Sequence, residues 1–89
     1  MTSRRLTDRQ RVLARQALGL PNMQKRSIAN AYTCPYAPGT YDQWSVMVDA
    51  GLADCGPIVK GERRFWLTRG GAEQALEPGE TLCPEDFPK

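Results

Sequence analysis

Glycine and proline cut this chain into short pieces. They supply fifteen of its 89 residues. Gly19 with Pro21, Pro35 through Gly39, Gly51, Gly56-Pro57, Gly61, Gly70-Gly71 and Pro78-Gly79 each end or interrupt a segment. Glycine leaves the helical region without steric cost and proline cannot continue it. A chain punctuated in this way builds short helices and strands around one small core. The 40% hydrophobic and 25% charged composition fits one α+β domain. No apolar run approaches the roughly 18 residues of a membrane helix, and the opening MTSRRLTDRQ has no apolar signal core, so a cytoplasmic protein without membrane contact is expected.

Between the breaks, the spacing of apolar residues predicts the elements. Thr7 and Gln10 form a capping box for a helix that runs to about Leu18 and stops at Gly19, with Leu6, Leu13, Ala17 and Leu20 as its apolar stripe. Ile28, Ala31 and Tyr32 are spaced for a short second helix over 25–32, and Cys34 to Gly39 reads as a loop. Thr40 and Gln43 repeat the capping box, and Tyr41, Trp44, Val48 and Leu52 share a face before the stop at Gly51. Beyond Leu52 the pattern alternates. A hairpin is predicted that turns at Gly61 with Lys60 or Glu62, with Phe65 and Leu67 on one face of its second strand and Arg64 and Trp66 on the other. Its first strand, broken by Gly56-Pro57, belongs at a sheet edge. Thr68 caps a last helix to about Leu76. Residues 80–89 then form an extended acidic tail beyond a domain of residues 1–79, and Leu82 and Phe87 are the residues that can pin it. Leu13, Ala17, Trp44, Val48, Leu52, Phe65, Leu67 and Leu76 are the expected core.

Residue types narrow the chemistry. Histidine is absent, which removes the commonest general base and the Cys2His2 zinc motif. Cys34, Cys55 and Cys83 are odd in number and contain no C-x-x-C pair, so neither a disulfide framework nor a metal site is expected. No glycine-rich phosphate loop or nucleophile-base pair appears, so no enzyme activity, catalytic residue, cofactor or small-molecule substrate is expected.

Charge is segregated along the chain. Residues 1–26 hold seven basic residues against Asp8 alone, and 27–57 hold three aspartates and no base. Lys60, Arg63, Arg64 and Arg69 face Glu62 alone, and 72–89 hold five acids against Lys89. Basic clusters are the footprint of polyanion binding. On that basis Arg4, Arg5, Arg9, Arg15, Lys25, Arg26, Lys60, Arg63 and Arg64 are the candidate nucleic-acid contacts. Tyr36, Tyr41 and Trp66 are the candidate anchors for a protein partner.

The run WSVMVDAGL (Trp44–Leu52), then a hairpin, then RRFWLTRGGAEQAL (Arg63–Leu76), resembles the MarR-like and PadR-like winged helix-turn-helix regulators. In those families an L-x-x-G-L helix end leads into a wing, an aromatic strand ending in L-T-x-x-G, and a further helix. The resemblance implies a winged-helix-like domain with three N-terminal helical segments, a two-stranded hairpin wing and a short C-terminal helix. It also implies DNA binding, with the helix matching Tyr41 to Ala50 in the major groove and the wing on the backbone. That helix carries Asp42 and Asp49 and no base, which phosphates would repel. In size and charge the chain also resembles the small proteins of unassigned role encoded by phages and prophages. Two functions therefore stand open. One is DNA binding through the basic N-terminal segment and wing, and the other is a protein-interaction module that engages, for example, a host or virion factor.

Overall fold

In the computed structural model, residues 5–84 and 87 are described. Three helices and three strands follow in the order α1 (Asp8–Leu18), β1 (Tyr32–Pro35), α2 (Thr40–Asp49), β2 (Ala53–Val59), β3 (Glu62–Leu67) and α3 (Arg69–Ala75). The strands form one antiparallel sheet in the order β1-β3-β2, and the helices cover one of its faces.

Both longer helices begin and end on local signals. The Thr7 hydroxyl accepts from the Gln10 amide at 3.1 Å, and the Gln10 side chain accepts from the Thr7 amide at 3.0 Å. Gly19 stops α1 at φ 76°. At the end of α2, Gly51 at φ 78° lets its own amide reach Val48 and the Leu52 amide reach Met47, which satisfies two orphan carbonyls and turns Leu52 into the core. The start of α2 departs from the T-x-x-Q pattern. Gly39 is the cap and donates its amide to Asp42, Thr40 is the first helical residue, and the Gln43 side chain accepts instead from Gln10 at 3.3 Å.

The helix expected over 25–32 does not form, so two helical segments precede the hairpin rather than three. Lys25 sits in the left-handed region at φ 53°, and the Asn22 amide group bonds the carbonyls of Gly19 and Arg26. The amides of Ile28 and Ala31 are drawn to Leu18 and Ala17, at the end of α1. Ile28 remains 62% exposed, so the apolar spacing that suggested a helix buries little. Tyr32 to Pro35 then join the sheet as β1, pairing Tyr32 with Phe65 and Cys34 with Arg63. The hairpin is therefore two strands of a three-stranded sheet. It turns at Lys60 (φ 52°) and Gly61 (φ 76°), the two left-handed positions that a tight hairpin matching the twist of its strands requires. Gly56-Pro57 forms the irregularity between the pairs at Cys55 and Ile58, on the edge strand as expected.

Trp44 stacks on Phe65 with ring centroids 5.3 Å apart, and Tyr32 and Tyr41 close on the pair at 5.4 Å. Leu13, Ala17, Leu52 and Leu67 complete the expected core, with Val48 and Leu76 packed half-buried at its border. Leu18, Cys34, Met47 and Ala72 also belong to it. Thr68 ties α3 to the end of α2. Its hydroxyl donates to the Gly51 carbonyl at 2.9 Å and accepts from the Gly71 amide at 3.2 Å.

Of the acidic segment, the described residues 80–84 and 87 pack against the domain, and the Phe87 amide returns to the Cys83 carbonyl, rather than forming the expected extended tail. Thr81 bridges Arg26, the Cys83 amide donates to the Ser27 hydroxyl at 2.7 Å, and Phe87 is buried with its carbonyl accepting from Arg69.

Candidate interaction surface

Alternation along β3 separates its side chains cleanly. Arg63, Phe65 and Leu67 turn toward the helices, and Glu62, Arg64 and Trp66 turn to the outer face. No helix among the described residues lies on that face. The six-membered end of the Trp66 indole lies over the edge strand, 3.7 Å from the point a Cβ on Gly56 would occupy. Thr33 of β1, Pro57 and Val59 of β2, and Lys60 of the turn complete a shallow groove of about 470 Å³ around it. Asp54, directly across from Trp66 in the register, lies on the same face. Trp66 is half-buried, whereas Asp54, Lys60, Glu62 and Arg64 are exposed. None of these four charges is in an ion pair among the described residues.

The candidate nucleic-acid contacts do not converge. Arg4 lies outside the described residues, and Arg5 and Arg9 are exposed near the start of α1. Arg15 is committed elsewhere. Its guanidinium meets the Glu80 carboxylate in two bonds of 2.5 and 2.9 Å and donates to the Ala75 carbonyl at 2.9 Å. The Glu80 contact raises the Arg15 pKa and holds the Glu80 carboxyl down at about 2. Arg11 is likewise paired with Glu77, and Arg69 with Glu73. Lys25 and Arg26 are exposed near the end of α1, the latter with its backbone bridged to Thr81. Arg63 and Arg64, adjacent in sequence, project from opposite faces of the sheet. Arg63 is half-buried beside Ser45, Asp49 and Cys55, with its Nε unbonded among the described residues.

The protein-partner candidates also divide. Tyr36, 63% exposed, meets Tyr41 edge-on at 4.8 Å and shares a shallow hollow with Pro38 and Asp42 near the start of α2. Trp66 belongs to the outer sheet face instead. Sequence reasoning missed Glu62, Asp54 and Thr33 as its neighbours. Strand alternation could have placed Glu62 beside Arg64, but Thr33 needed β1, which the sequence had not suggested.

The described residues hold no group of three histidine, cysteine or acidic side chains that could ligate a metal ion, and no helix among them is long and apolar enough to cross a membrane. Burial pushes the Cys34 thiol above its ordinary pKa. Comparison with family models, curated proteins and solved structures returns no match to this chain.

Proposed function

We propose that this chain is a non-enzymatic protein-binding module whose contact surface is the outer sheet face centred on Trp66. The observation that carries the reading is the ring of alternating charge, Asp54, Lys60, Glu62 and Arg64, around a half-buried indole on an uncovered face. Protein interfaces concentrate their energy in an aromatic anchor shielded by a polar rim, and tryptophan and arginine lead among such anchors. Two cations against two anions give this face no net charge, so it has little long-range attraction for a polyanion.

A second reading, DNA binding by a winged-helix-like domain, draws on a specific feature. Lys60 and Arg64 stand exposed at and beside the tip of the hairpin that follows α2, where a wing meets the backbone. Against it, Arg11, Arg15 and Arg69 are neutralised within the fold, and the exposed side of α2 presents Asp42 and Asp49.

The deciding experiment has two arms. In the first, mixed-sequence duplex DNA titrated at low salt is expected to show no saturation below the micromolar range. In the second, a partner protein retained by the wild-type chain and by Tyr36→Ser is expected to be lost on Trp66→Ser. Tight duplex binding that weakens on Arg64→Ala overturns the protein-binding reading in favour of DNA.

A further inference from the structure

We propose that the occupant of the outer sheet face is a second copy of this chain, in a two-fold dimer that stacks β3 antiparallel on the partner's β3. The inference rests on the protein-binding reading above and names its partner.

From the turn along β3, the outer row reads Glu62, Arg64, Trp66: anion, cation, aromatic ring, and Lys60 of the turn lines the same groove ahead of it. Such a row is self-complementary. A two-fold axis lying between the stacked sheets, perpendicular to β3 and passing at Arg63, reverses the row onto itself. Glu62 then meets the partner's Arg64, Arg64 meets the partner's Glu62, and each Lys60 ammonium lies over the other protomer's Trp66. These are ion pairs and cation–π contacts, and all are attractive. The neighbouring strand follows the same operation. Asp54, across from Trp66, comes to the partner's Lys60, and Val59, across from Glu62, comes to the partner's Gly56-Pro57 irregularity.

Two nearby arrangements fail on charge. An axis along the strand sets Arg64 on the partner's Arg64 and Glu62 on the partner's Glu62. Moving the perpendicular axis by one residue sets one of those like-charge pairs face to face. An interface that closes on itself must present a patch complementary to its own copy, and the register about Arg63 engages Lys60, Glu62, Arg64 and Trp66 together.

The face is small. Three strands about 4.8 Å apart and a six-residue β3 rising about 3.3 Å per residue cover roughly 14 by 20 Å in plan, well below a standard interface of about 800 Å² per partner. The dimer therefore belongs to the weak, transient class, and salt loosens it because its contacts are charged.

Sedimentation equilibrium of the full chain at low salt, between about 10 µM and 1 mM, tests the proposal. Wild type is expected to show a monomer-dimer equilibrium. Glu62→Arg or Arg64→Glu alone, each creating two like-charge contacts, is expected to raise Kd at least about tenfold. The double exchange Glu62→Arg with Arg64→Glu restores the pairing and is expected to return Kd to within about threefold of wild type, with unchanged circular dichroism confirming that every variant is folded. A wild-type chain that stays monomeric at 1 mM, or a dimer that the double exchange fails to rescue, overturns the self-association. A Trp66-dependent partner of different sequence, found with a monomeric chain, overturns the dimer and leaves the wider reading standing. Duplex DNA on the same face overturns both.

Discussion

Arg15 and Glu80, 65 residues apart in sequence, meet side by side through the two terminal guanidinium nitrogens and both carboxylate oxygens. The pair is well shielded, at 15% and 7% side-chain exposure, and it joins α1 to the segment that follows α3. The same guanidinium bonds the Ala75 carbonyl at the end of α3, so one side chain fastens three parts of the chain. Arg15, one of the expected nucleic-acid contacts, is engaged instead by a carboxylate of the same molecule.

This pair sets a pH dependence with a definite sign. Glu80 is held at about 2 in the fold against 4.5 ordinarily, first by its hydrogen bond to Arg15. A depressed carboxyl stabilises the fold fully above its unfolded pKa, and that contribution fades as pH falls through the folded one. Wild-type stability is therefore expected to decline between about pH 4.5 and pH 2. Glu80→Gln should cost about 1.5–3 kcal/mol at neutral pH, the range for hydrogen bonds to charged groups, and flatten the decline across that window. Urea melts at several pH values measure both, and parallel curves for the two proteins would remove Glu80 as the cause.

The contrast between α1 and β1 shows which parts of the fold were legible. The capping box at Thr7, the stops at Gly19 and Gly51, the hairpin turn and the Thr68 cap are all fixed by residues within a few positions of one another, and each stands where the spacing predicts. β1 exists because Tyr32 to Pro35 pair with Phe65 to Glu62, a distant partner that no local pattern announces. The Arg15 to Glu80 contact is equally remote, so the charge segregation read along the chain overstated the free basic surface. The candidate surface was half visible. Alternation gave Arg64 and Trp66 a common face, but the groove beside them required the unforeseen strand and the irregularity at Gly56-Pro57.

Adjacent glycines in α3 should respond oppositely to alanine. A Cβ on Gly71 would fall 1.9 Å from the Leu52 carbonyl oxygen, a backbone atom that has no room to yield, whereas a Cβ on Gly70 meets nothing within 4 Å. Gly71→Ala is expected to cost about 3 kcal/mol by forcing α3 away from the end of α2. Gly70→Ala is expected to gain about 0.5–1 kcal/mol by restricting the unfolded chain and favouring helix. Denaturation midpoints that shift together would refute the close approach.

The cysteines should separate by reactivity. Cys34 is 1% exposed with its pKa raised by burial, whereas Cys55 and Cys83 are half-buried free thiols. Thiolate is the reactive form, so both shielding and the raised pKa suppress Cys34. A disulfide reagent in excess should consume Cys55 and Cys83 in the native protein and reach Cys34 only as fast as the fold opens. Equal rates at all three positions in Cys-to-Ser single-thiol variants would show that β1 does not hold its inward face closed.

Lys60 joins backbone strain to the proposed contact, and its two effects can be pulled apart. Its φ of 52° places a long side chain in the left-handed region, a conformation that costs an ordinary residue roughly 1 kcal/mol and asparagine or glycine less. Lys60→Asn creates the Asn-Gly pair that tight hairpins favour, so the monomer should gain about 0.5–1 kcal/mol in a chemical melt. The same change removes the ammonium that lies over the partner's Trp66 and faces the partner's Asp54. Sedimentation should then show a Kd raised about three- to tenfold although each protomer is more stable. If the variant gained stability and self-associated as strongly as wild type, Lys60 would serve the turn alone and the two-fold register would have to be redrawn without it.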